Sequence, residues 1–188
     1  MKYVKMLGLL AVAAAALMAF AGTASATTIT SPEGTKYTGT LKASTEGHAK
    51  LLNTALGLEI ECAGTVEGSI GAEHGNEEAA VHPTFTGCTN SFHVTTIAGG
   101  KLKAISNGNG TADMFSTGAT ISTTRFGITC NYLTNNTTIG TLTGGSMATM
   151  HINGSIPLHT GSSAFCGTAN AHWTGSYTVT QPEPLFID

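Results

Sequence analysis

The chain has 188 residues with eight basic and eleven acidic side chains, a formal net charge of −3. Charged residues make up 10% of it and apolar ones 41%, and glycine and threonine each occur more than twenty times; this excludes a disordered chain and favours sheet and turns over helices. Without a basic surplus, nucleic acid and anionic membrane surfaces are excluded as partners, since both bind through a cationic face.

MKYVK is followed by the apolar run MLGLLAVAAAALMAF and then by AGTASA, the order of a secretory signal with cleavage after Ala26. The run is shorter than the roughly 20 residues of a spanning helix, so no membrane span is expected once it is removed. With no cysteine at the cleavage position, no lipid anchor is expected either. Residues 1–26 are therefore read as a signal-peptide helix and 27–188 as one domain of 162 residues with six basic and eleven acidic side chains, a net charge of −5. The expected destination is outside the cell, secreted or at its surface.

KYTGTLKA (36–43) alternates, placing Tyr37, Gly39, Leu41 and Ala43 on one face. LLNTAL (51–56) is too short to count as a helix. GLEIECAGTVEGSI (57–70) gives the strongest alternation, with Leu58, Ile60, Cys62, Gly64, Val66, Gly68 and Ile70 inward, as one strand or two meeting near Gly64. EHGNEEAAVH (73–82) reads as an acidic loop. Strands follow at VHPTFT (81–86), SFHVTTI (91–97), KLKAIS (101–106), GATISTT (118–124), FGITCNY (126–132), with Phe126, Ile128, Cys130 and Tyr132 inward, and TIGTLTG (138–144). SMATMHINGSIPLH (146–159) contains the hairpin signal Asn153-Gly154. Reading straight through keeps Ala148, Met150, Ile152, Gly154, Ile156 and Leu158 on one face, so one long strand is preferred, irregular near Pro157. In AHWTGSYTV (171–179) the inward set is Ala171, Trp173, Gly175, Tyr177 and Val179. Trp173 is thus a core residue beside a disulfide, its N–H expected to find a backbone acceptor.

Cys62, Cys88, Cys130 and Cys166 all follow the signal, where the environment is oxidising, so two disulfides are expected. Four cysteines allow three connectivities. An inward strand cysteine followed by one beside a loop glycine occurs twice, which favours Cys62–Cys88 and Cys130–Cys166. The expected fold is an all-β, single-domain antiparallel β-sandwich, immunoglobulin-like or jelly-roll-like, with two disulfides. Its long alternating strands would leave edges able to pair with another copy or a partner strand.

The succession ECAGTVEG, HPTFTGCT, FGITCNY, GTLTGG, FCGTANAHWTGSYTVT and PEPLF resembles a family of small exported proteins of unknown function from soil actinobacteria. The resemblance implies export, disulfides and a β fold, and carries no functional residue.

No chemistry is spelled out. There is no G-x-S-x-G, and Asp113 and Asp188 are the only aspartates, which leaves a serine triad without support. Glu59 and Glu61 share a polar strand face about 6.8 Å apart, an ordinary spacing on a solvated sheet that would also suit paired catalytic carboxylates. Glu73, His74, Glu77, Glu78 and His82 are the weak candidates for a metal site, in a spacing that matches neither a zinc helix nor a calcium loop, and no cofactor is expected. His48, His93, His151, His159 and His172 are scattered over strands. Irregular T-x-T pairs argue against an ice-binding array. The reading that results is a non-enzymatic structural or binding module of the cell surface or extracellular space, meeting cell-wall carbohydrate, a protein or itself; the alternative is a secreted enzyme of unrecognised type, a metal-dependent hydrolase being one such class.

Overall fold

The computed structural model describes residues 27–53, 57–71 and 77–188; residues 1–26, where a signal-peptide helix is expected, lie outside the described residues. Fourteen strands and two short 3-10 turns make up the described fold, which contains no α-helix. After β1 (Ile29–Thr30), strands β2 (Gly39–Thr45) and β3 (Ala49–Asn53) run in line, both lying between β4 (Leu58–Ile70) and β13 (Ala171–Gln181). They are one strand position broken at residues 46–48. β3 occupies the segment that the sequence left unassigned, and β4 is a single strand through Gly64.

The wall continues antiparallel from β4 to β5 (Glu78–Thr86), β7 (Gly100–Ser106), β8 (Thr111–Thr117), β11 (Thr137–Thr143) and β12 (Thr149–Ile156). β12 then pairs with β13 over eight residues, from Thr149↔Thr178 to Ile156↔Ala171. With β13 bound to β2, the ring is shut. The expected sandwich is therefore corrected to a closed, eight-stranded barrel: β2, β4, β5, β7, β8, β11, β12, β13.

The inward–outward alternation is the same in a sandwich and a barrel, so alternation could not separate them. What separates them is how sharply the strands coil, and two glycines permit it. A Cβ on Gly68 would stand 2.0 Å from the Ala80 carbonyl oxygen, and one on Gly140, where φ is 148° and the β11 ladder shifts register, 1.9 Å from that of His151. No other residue fits such an approach. Inside, Ala43, Ala79, Ala104 and Ala112 make room for Met114, Met150, Trp173 and Tyr177, all buried.

Two small sheets plug the barrel. At one end β1 pairs with β14 (Phe186–Ile187), setting Ile29, Leu185 and Ile187 over Leu41, Ile70 and Leu142. At the other lie β6 (His93–Ala98), β9 (Thr120–Arg125) and β10 (Ile128–Leu133), whose Ile121 and Val94 meet Trp173, Phe85 and Cys62. Disulfides Cys62–Cys88 and Cys130–Cys166 fasten loops at this second end, in the expected pairing. The described cysteines are all paired.

Trp173 sits in the core as expected, 7% exposed, with its ring edge-on to Phe85 and Tyr177, both at 6.2 Å. The expected backbone acceptor is not there. Trp173 Nε1 and Tyr177 Oη are both buried without a hydrogen-bond partner, because the strand carbonyls around them are spent in the barrel ladders.

Candidate functional site

The barrel interior is filled. Its voids measure about 40, 20 and 20 Å³, enough for single waters and too small for a ligand. An eight-stranded barrel either encloses one small ligand or packs with side chains, and this one packs.

The metal candidates do not converge. Glu73 and His74 lie outside the described residues. Of the rest, Glu77 lies in the turn before β5, its carbonyl accepting from the Ala104 N–H at 2.8 Å, Glu78 opens β5 and lies 3.6 Å from Lys101, and His82, four positions along the same outward face as Glu78 and so about 13 Å from it, stands opposite Glu67. Among the described residues no three His, Cys, Asp or Glu side chains gather.

Glu59 and Glu61 do share a face, and Lys50 of β3 bridges them at 3.2 and 2.6 Å. Its hydrogen bond and its charge hold the Glu61 carboxyl below the ordinary range. A glycosidase acid needs the opposite shift, toward a carboxyl that keeps its proton. Four of the six described histidines stand opposite other residue types in the ladders, His82 opposite Glu67, His93 opposite Thr124, His151 opposite Ser176 and His172 opposite Ser155, while His48 and His159 lie outside the strands. His151 Nδ1 and Ser176 Oγ are 3.1 Å apart on the outer wall. The adjacent strands place Thr141, not a carboxylate, beside His151, and the surrounding amides belong to ladders, leaving no oxyanion donors. It is a cross-strand contact.

A different constellation stands at the disulfide-braced end. β9 and β10 are joined by a two-residue turn, Phe126-Gly127, both left-handed with φ of 50° and 78°. Such turns favour Asn-Gly, and a bulky residue at positive φ is strained. Phe126 is nevertheless there, and its side is outward: it is 85% exposed, against the inward position expected from alternation, because the chain reverses over Phe126 and Gly127, the two residues before the strand begins. The Arg125 guanidinium lies 4.6 Å from the Phe126 ring and 5.1 Å from that of Phe92, a cation held between two aromatic faces. Lys42, Lys50 and Lys101 each lie against a glutamate; Arg125 has no acidic partner among the described residues, and its Nε is buried without an acceptor.

Both disulfides serve this end. Cys88 precedes the turn Thr89–Ser91 that delivers Phe92, and Cys166 closes the turn Ala164–Cys166 that presents Phe165, 72% exposed. Ser163, which caps that turn, donates its backbone N–H to the Thr129 carbonyl at 2.9 Å, setting Phe165 next to the start of β10. The arrangement offers apolar area and one arginine on a rigid mount, the composition of contact hot spots. The signal for it in the sequence was slight: the chain's one arginine, followed by Phe-Gly between two strands.

No family model, curated protein or solved structure matches the chain.

Proposed function

We propose that the protein is an exported, non-enzymatic binding module of the cell surface or extracellular space, in keeping with its resemblance to small exported proteins, and that it meets its partner through Phe126, Phe165 and Arg125. The observation that carries this reading is a strained, almost fully exposed phenylalanine mounted between two disulfide-fastened loops on a barrel with no ligand space inside. Strain that local sequence could relieve persists where a contact requires it. The partner class is cell-wall carbohydrate or an envelope protein.

The test is co-sedimentation of purified protein with envelope fragments of the producing cell. Phe126→Asn suits the turn better than the native residue and should raise the melting temperature, yet together with Phe165→Ser it should abolish retention. Equal retention of wild type and double variant, or no retention of either, overturns the proposal.

A further inference from the structure

The dipeptide Asn-Gly occurs at 107–108, 109–110 and 153–154. The first two fill the exposed β7–β8 turn, where Gly108 and Gly110 are left-handed with φ of 75° and 76°. Asn109 Oδ1 accepts two hydrogen bonds from Thr111, one from the backbone N–H at 3.2 Å and one from the hydroxyl at 2.6 Å. This Asx turn folds the side-chain amide over the peptide that follows it and brings Cγ toward the Gly110 nitrogen. Gly110 has no side chain to obstruct that approach, and its N–H makes no hydrogen bond among the described residues.

We infer that Asn109 is a site of spontaneous deamidation, built by Gly110 and Thr111. The Gly110 nitrogen gives its proton to solvent base and bonds to Cγ. Negative charge gathers on Oδ1, where the two Thr111 donors already point, as in an oxyanion hole. Nδ2 takes up a proton from solvent, the Cγ–Nδ2 bond breaks and ammonia leaves. Water then opens the cyclic imide at either carbonyl, giving aspartate or isoaspartate, so one neutral amide becomes one carboxylate.

The other two copies lack this geometry. Asn107 spends its amide nitrogen on Thr111 Oγ1 at 3.3 Å and on the Asp113 carboxylate at 3.4 Å, and its Oδ1 receives no donor among the described residues. Its prospective nucleophile, the Gly108 N–H, donates to Ser106 Oγ at 3.2 Å. Asn153-Gly154 lies inside β12, opposite Thr174 and Trp173, where the extended backbone holds Cγ away from the next nitrogen. The charge gained at Asn109 would enter a cleft of about 440 Å³ that also holds Glu33 and Asp188, adding to its acidity.

Folded protein incubated at mildly alkaline pH and mapped for isoaspartate by methyltransferase labelling tests this. Asn109 should react about tenfold or more faster than Asn107, a modest share of what one preorganised oxyanion donor contributes in an enzyme, and Asn153 should stay silent. Thr111→Val should slow Asn109, and Thr111→Ser should restore its rate, with melting curves verifying the fold. In denaturant the three sites should react alike. Asn107 outpacing Asn109 in the folded protein, or an unchanged rate in Thr111→Val, overturns the inference.

Discussion

Replacing Tyr177 by phenylalanine should stabilise the barrel. The side chain is 1% exposed and its hydroxyl has no hydrogen-bond partner. A buried hydroxyl left unbonded costs about 1–3 kcal/mol. Deleting one oxygen leaves a void on the order of 10 Å³, which costs only about 0.2 kcal/mol, and the edge-to-face contact with Trp173 survives. The net expectation is a gain of about 1 kcal/mol or more, read as a higher urea midpoint at constant slope. The same oxygen crowds Gly64, where a Cβ would lie 3.0 Å from it. Gly64→Ala should therefore be better tolerated in Tyr177→Phe than in wild type, a coupling visible in a double-mutant cycle. Burial also pushes the Tyr177 phenol up, and the nearby Trp173 N–H offsets this only in part. A phenol kept neutral by the fold contributes fully below its unfolded value of about 10, and its contribution is lost as pH climbs from there toward the folded value. Tyr177→Phe should flatten that alkaline limb. A loss of more than about 1 kcal/mol in Tyr177→Phe would show that the hydroxyl is bonded and refute the reasoning.

Reduction should remove roughly 3–4 kcal/mol per disulfide on the chain-entropy estimate for loops of 26 and 36 residues; melting with and without reductant measures it, and four free thiols in the native protein would contradict it. Gly140→Ala drives a Cβ into the His151 carbonyl and should cost several-fold more than Gly110→Ala in the open β7–β8 turn, by the same denaturation assay. Lys50→Ala removes an exposed bridge to Glu59 and Glu61 and should leave the unfolding midpoint unchanged within error, while Glu61 titrates closer to its ordinary value by NMR.

The sequence was most legible where period and burial coincide. β4, β12 and β13 follow from alternation alone, and their inward residues, Trp173 among them, are the buried ones. Asn153-Gly154 stays extended because a turn there would turn Ile156 out of the core. β8 was missed because its inward residues, Ala112, Met114 and Ser116, grade from apolar to polar while its largest apolar side chain, Phe115, faces out. Barrel closure was illegible for a physical reason: it depends on carbonyls approaching Gly68 and Gly140 from other strands, contacts that no local pattern records. The aromatic end was hidden likewise, since alternation was carried two residues too far, to Phe126, and turned it inward.

The ring closes through partners remote in sequence. Tyr177 of β13 pairs with Thr45, and in the plug beneath the ring Thr30 donates to Asp188 across 158 positions. The loop-closure entropy for such contacts must be met before any of the final core contacts repay it, so high contact order predicts slow folding, in milliseconds to seconds or longer. A ribosome would have to release almost the whole chain before β2 could find β13. Until then β2 has β4 as its ladder partner, and the edge that β13 covers in the closed ring stays open to pairing with another chain.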